Sequence, residues 1–235
     1  MADSRESRFV FISTKMAITP NSVRELLHSD DYGDRLRAVN QMRELDSADA
    51  FELVQLAAND GNARVRYAAI SQIASLGQQD IATVEPLLRR SLTEDPDPDV
   101  QAAAADTIGG LKLKSAYPEL ATLYHSTDEW LVKFSIVAAL GELGEPQAFD
   151  LLQEALSSDN ELIATAAIGA LGELGDRRAL PLLLNYTTHS DWQVRHRLVQ
   201  ALAQFSEPEA QSALQQLAND ESEIVAGAAQ QHLGL

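Results

Sequence analysis

Apolar anchors recur along this chain at Val132, Ile163, Val194 and Val225, 31 residues apart each time. The register extends upstream to Val100, Val65 and a degenerate position at Asp34, with spacings of 32, 35 and 31. Four residues after each anchor stand Ala38, Ala69, Ala104, Ile136, Ala167, Leu198 and Ala229. Eight residues after it stand Met42, Ile73, Ile108, Leu140, Leu171, Leu202 and Leu233. Positions 0, +4 and +8 share one face of a helix, so each anchor marks an amphipathic helix. A second helical pattern precedes it, beginning fifteen residues upstream at Ala50, Ala148, Ala179 and Ala210 and continued by Val54, Leu152, Leu183 and Leu214. Glycine and proline punctuate the units, as in Leu143-Gly144-Glu145-Pro146 and Leu174-Gly175-Asp176, where glycine caps one helix and proline opens the next. No window alternates apolar and polar residues as a strand would.

A pair of helices of this size cannot bury its apolar face alone and must lean on its neighbours. The pattern therefore predicts an all-α, right-handed α-solenoid of about seven HEAT-like helical pairs, a single unit over residues 21–235 with the second helix of each pair on the concave side. Small residues such as Ala102-Ala103-Ala104-Ala105 and Ala166-Ala167 are expected where helices cross. Residues 1–20 fall outside the repeat and read as a flexible tail, whose apolar run Phe9-Val10-Phe11-Ile12 is too short for a signal core or a membrane span. Met16 is a candidate natural start. Ser22 with Glu25 three residues on reads as a capping box for the first helix.

Eighteen basic against 35 acidic residues give a formal charge of −17, the wrong sign for a phosphate backbone, so nucleic acid is not an expected partner. The absence of cysteine removes disulfides, thiolate metal sites and thiol nucleophiles. No His-Glu pair, zinc spacing, glycine-rich phosphate loop or nucleophile elbow occurs, which leaves no catalytic residue and no metal ligand to name. The run Glu94-Asp95-Pro96-Asp97-Pro98-Asp99 lacks the glycine and terminal glutamate of an EF-hand loop and reads as the long turn of the 35-residue unit.

Function then rests on the polar columns. One residue after the anchor stand Arg35, Arg66, Lys133 and Arg195, and the turn before it carries Asp60, Asp97, Glu129, Asn160 and Asp191. Two readings are open: an internal ladder of Arg–carboxylate pairs tying turns together, or a stripe that binds anions. Position +2 reads Tyr67, Phe134 and His196, and position −2 reads Tyr32, Trp130 and Trp192. Both are out of phase with the buried face, so exposed rings beside cations are expected to form a groove. The candidate ligand- or partner-binding residues are Arg66, Tyr67, Trp130, Lys133, Phe134, Trp192, Arg195 and His196.

Two units carry a resemblance: Asp191-Trp192-Gln193-Val194-Arg195 followed by Val199-Gln200-Ala201-Leu202, and Asp60 leading to Val65-Arg66-Tyr67-Ala68-Ala69-Ile70. Together with residues 34–41 and 124–132 they resemble the HEAT-like repeat proteins of the phycobilisome lyase type, over roughly residues 20–235. The resemblance implies a cyanobacterial, cytoplasmic protein without membrane insertion. It implies a phycobiliprotein partner and a part in chromophore attachment, chromophore detachment or antenna disassembly. No cofactor is expected to be held permanently, but phycocyanobilin is a candidate transient ligand, its propionates facing Arg66, Lys133 and Arg195. The alternative is a non-catalytic adaptor for another protein, such as an A-type iron–sulfur assembly carrier. A proton-moving role for Asp106 or His196 completes the expectations.

Overall fold

The computed structural model describes residues 17–235, and among them fourteen α-helices form seven successive pairs with no strand. The first helices of the pairs are α1 (Pro20–Leu27), α3 (Ser47–Ala57), α5 (Ile81–Glu94), α7 (Tyr117–Ser126), α9 (Phe149–Ala155), α11 (Leu180–Leu183) and α13 (Pro208–Leu217). The second helices are α2 (Tyr32–Gln41), α4 (Ala63–Leu76), α6 (Pro98–Gly110), α8 (Trp130–Leu143), α10 (Glu161–Leu174), α12 (Trp192–Leu202) and α14 (Glu223–Leu233). The chain is thus an α-solenoid. Val65, Val100, Val132 and Val225 are fully buried, and the +4 and +8 columns join them in one continuous core from Val23 to Ala229. The first-helix columns, from Ala50 and Val54 to Ala210 and Leu214, are buried as well. In the degenerate first unit Asp34 replaces the apolar anchor, stays partly exposed, and is held by the Ser29 hydroxyl at 3.1 Å and by Arg37 at 2.9 Å.

The second helices pack on one another in sequence, α2 to α4 and onward to α14, with the tightest contacts among α6, α8 and α10. Successive first helices touch far less. In a curved stack the more closely spaced layer lies inside the curve, so the second helices line the concave face. Their close approach has a cause in the sequence. Gly109, Gly141 and Gly172, nine residues after their anchors, lie against Ala139, Ala170 and Ala201, seven after theirs; a Cβ on these glycines would come within 2.7, 2.7 and 2.5 Å of the facing alanine Cα. Backbone meets backbone at these crossings.

Helix ends follow local chemistry. Gly144 and Gly175 terminate α8 and α10 with φ of 61° and 65°, a left-handed conformation that only glycine takes without cost. The first helix is capped one turn earlier than its sequence suggests. Thr19, not Ser22, is the N-cap: its hydroxyl accepts from the Ser22 N–H at 3.2 Å while the Ser22 hydroxyl accepts from the Thr19 N–H at 2.9 Å. The reason is Pro20, which fits the first helical position and starts the helix there. Pro20 therefore belongs to α1, while the Phe9–Ile12 run and Met16 lie outside the described residues.

Candidate binding groove

On α8, α10 and α12 the positions −2, +2 and +6 relative to the anchor follow one another at the helical step of four and are exposed or half-buried, and +10 continues the line on α8 and α10. On α8 this line is Trp130, Phe134, Ala138 and Glu142; on α12 it is Trp192, His196 and Gln200. Between them α10 presents Glu161, Thr165, Gly169 and Glu173. Two ring-bearing helices thus flank one whose middle is small. Trp130 and Trp192 remain 48% and 39% exposed, whereas Phe134 and His196 are half-buried. Tyr67, 47% exposed on α4, lies on the same face but is separated from Phe134 by α6, which offers only Ala102 and Asp106 there. The structure places Trp130 and Phe134 on α8 and Trp192 and His196 on α12, with α10 between them, and Tyr67 on the same face one helix beyond α6.

The arginine column has a different fate. Arg66 forks onto Asp95 of the next turn, Nε to Oδ2 at 2.7 Å and a second nitrogen to Oδ1 at 2.8 Å, and gives its remaining terminal nitrogen to the carbonyls of Asp60 and Gly61. Arg195 repeats the arrangement on Asp220 at 2.7 and 2.8 Å, with the carbonyls of His189 and Ser190, and adds Glu221 at 3.3 Å. Arg35 does the same with Asp60 and the carbonyls of Ser29 and Asp30. These three cations form the internal ladder, and Arg66 and Arg195 are spent on it instead of facing a ligand. The turn residues divide into two columns where the sequence suggested one. Position −5 (Asp60, Asp95 and Asp220) receives the fork and also accepts the N–H two residues on, while position −3 (Asp97, Asn160 and Asp191 among others) caps the following helix.

The acidic run of residues 94–99 dissolves into these roles: Asp95 takes Arg66 and Asp97 caps α6. Among the described residues no group of His, Cys, Asp and Glu is placed to hold a metal ion.

On α8 and α12 two cations stay outside the ladder. Lys133 holds its ammonium 5.4 Å from the centre of the Tyr124 ring. Arg197 lies over α10, its Cδ where a side chain at Gly169 would stand, 3.2 Å from that ideal Cβ. Sequence columns miss Arg197 because position +3 carries no recurrent chemistry. Among the acids, partial desolvation on the concave face pushes the Asp106 carboxyl up, opposed by the Ser135 hydroxyl and reinforced by Glu142. Partial desolvation also raises Glu173, with Glu142 adding to it and Arg197 opposing. Asp106 lies on α6 and His196 on α12, so the two proton-moving candidates do not share a site.

Comparison with known proteins agrees with the geometry. HEAT repeats match over residues 84–171 and 151–234. The complex of CpcE and CpcF of phycocyanin lyase from Nostoc sp. PCC7120 is similar in fold, with 23% identity over 97% of this chain and 92% of that one and a TM-score of 0.64. YibA of E. coli aligns at 19% identity over 91% of this chain and 81% of its own, with a TM-score of 0.63. Kap121p aligns at 17% identity over 90% of this chain but 26% of its own, with a TM-score of 0.64. No curated protein matches the sequence. No helix of the described residues is long and apolar enough to cross a membrane. The pairs, their crossings and the matched residues make this chain a member of the HEAT-repeat family.

Proposed function

We propose that the chain is a HEAT-repeat scaffold that docks a phycobiliprotein on its concave face in the cytoplasm of a cyanobacterium, and assists attachment, removal or disassembly without catalytic groups of its own. The observation that carries the reading is the pair of exposed tryptophans, Trp130 and Trp192, flanking the small-residue stretch of α10. Large rings left open on an otherwise acidic surface suit a protein partner, since tryptophan supplies much contact area at small entropic cost. The resemblance of residues 34–41 and 124–132 to lyase-type repeats, and the use of a similar fold in a phycocyanin lyase complex, support phycobiliprotein as that partner.

Transient binding of phycocyanobilin is the finer part of the proposal. With Arg66 and Arg195 held in the ladder, its propionates would meet Lys133 and Arg197, and Trp130, Phe134 and His196 would cover its conjugated plane. With no cysteine in the chain, no thioether to the bilin can form on it. The test is titration of phycocyanin by calorimetry and by its absorbance and fluorescence. Trp130→Ala with Trp192→Ala is expected to weaken the complex by at least about tenfold, because a buried tryptophan anchor is worth roughly 2 kcal/mol or more. Unchanged affinity with helical content intact would sink the groove; capture of an iron–sulfur carrier without phycobiliprotein would sink the partner. Loss of the spectral change alone in Lys133→Ala with Arg197→Ala separates chromophore contact from protein contact.

A further inference from the structure

The arginine ladder is interrupted in the middle of the stack, and one interruption opens a site. By register, the residues facing one another across successive junctions are Arg35 and Asp60, Arg66 and Asp95, Gln101 and Thr127, Lys133 and Ser158, Ala164 and His189, and Arg195 and Asp220. Gln101 and Lys133 keep long side chains. Ala164 ends at its Cβ, and a cleft of about 310 Å³ lies beside it between α10 and the turn that leads into α12. Tyr186 and His189, stacked with centroids 6.0 Å apart and planes at 26°, line this cleft together with Ile168 and Val194. Glu161 and Asp191 also line it, and no lysine or arginine does.

We infer that this cleft is a socket for an arginine side chain presented by the partner protein, which completes the ladder from outside. Three features point to a guanidinium. The same register position is filled by arginine in three other units, where it binds two carbonyls of its own turn. The homologous carbonyls here, of Ser158 and Asp159, take no donor from the described residues and belong to the turn that leads into α10, just before the cleft's lining residue Glu161 in the chain. The stacked rings offer a flat face to a planar cation, and the carboxylates of Glu161 and Asp191 add the charge it needs. His189 strengthens the reading: its Nδ1 accepts the Asp191 N–H at 3.1 Å, so the turn holds the ring in place at the wall of the socket. An ammonium would satisfy the charge but would not match the ring face as well.

The inference goes beyond the docking groove and stands if the partner is another protein, because its test uses a small probe. The isotope-labelled full chain is titrated with N-acetyl-L-arginine methylamide and, in parallel, with the lysine equivalent, and amide shifts are followed by nuclear magnetic resonance. Saturable shifts confined to residues 161–168 and 186–194 are expected with the arginine compound, smaller ones with lysine. Ala164→Arg, which fills the socket from within, is expected to abolish them. Glu161→Gln, an exposed change that leaves the fold untouched, is expected to weaken them, which keeps the test decisive if Ala164→Arg loses helical signal. Absence of saturable shifts, equal shifts with lysine, or binding undiminished in both variants would overturn the socket.

Discussion

Alanine at Gly172 is expected to loosen the solenoid, while the same substitution at Gly227 tightens it. Both glycines lie inside second helices, where alanine gains up to about 1 kcal/mol of helix propensity. At Gly227 a Cβ meets nothing within 4 Å, so the gain stands. At Gly172 the Cβ would fall 2.5 Å from the Cα of Ala201 and 2.7 Å from its Cβ. The obstacle is backbone and cannot rotate away, so α10 and α12 must separate and surrender contacts along their whole crossing. Overpacking of this kind costs roughly 1–3 kcal/mol or more and outweighs the propensity gain. Because stability in a repeat stack is a sum over neighbouring interfaces, the loss should concentrate at one junction and let α12–α14 open ahead of the rest. Urea unfolding followed by circular dichroism gives the two signs, and amide hydrogen exchange locates the opening. A shift of the same sign in both variants would refute the close-approach account.

The folding pattern was legible because the columns that build the core repeat in every unit and are apolar in nearly all. The open placement of the rings was legible for the same reason in reverse: Trp130, Phe134, Trp192 and His196 sit at fixed offsets that the core does not use. Arg66 and Arg195 were misplaced because an arginine beside aromatic residues looks alike whether it faces a ligand or the next turn. What separates the two is the register of the following unit, since the acceptor carboxylate lies 25 residues on for Arg35 and Arg195 and 29 for Arg66, across a turn of variable length. The turn acids looked like one column for a similar reason, as Asp serves equally as a fork acceptor at −5 and as a cap at −3. Thr19 lost to Ser22 in the sequence because both are good caps, and only Pro20 decides between them. Arg197 stands at an offset filled elsewhere by alanine or serine in most units, so nothing repeated drew attention to it.

Breaking the ladder at its most enclosed rung is expected to be the costlier lesion, and pH reveals its mechanism. The side chains of Arg195 and Asp220 are 6% and 7% exposed, less together than either of the other two pairs. Arg195→Met removes the fork, strands the carbonyls of His189 and Ser190, and leaves the Asp220 carboxylate with the Ser222 N–H alone. Leaving a buried charge without its partner costs about 3–5 kcal/mol, which sets the expected loss at neutral pH. In the intact protein the hydrogen bonds from Arg195, opposed by burial and aided by the Ser222 N–H, hold the Asp220 carboxyl below its ordinary range. A folded pKa below the unfolded one gives stability that is present above the unfolded value, near 4, and is lost as pH falls through the folded value. Without Arg195 the folded pKa of Asp220 moves up, so the variant loses less than the parent on acidification. The deficit of Arg195→Met should therefore be widest near pH 7 and narrow below about pH 4. Asp220→Asn in the Arg195→Met background should recover part of the loss at pH 7, since it removes the uncompensated charge while keeping an acceptor for Ser222. Denaturation midpoints of the parent, Arg195→Met, Asp220→Asn and the double variant at both pH values complete the cycle; a deficit independent of pH and of the residue at 220 would mean that Arg195 supports the turn through its carbonyl bonds alone.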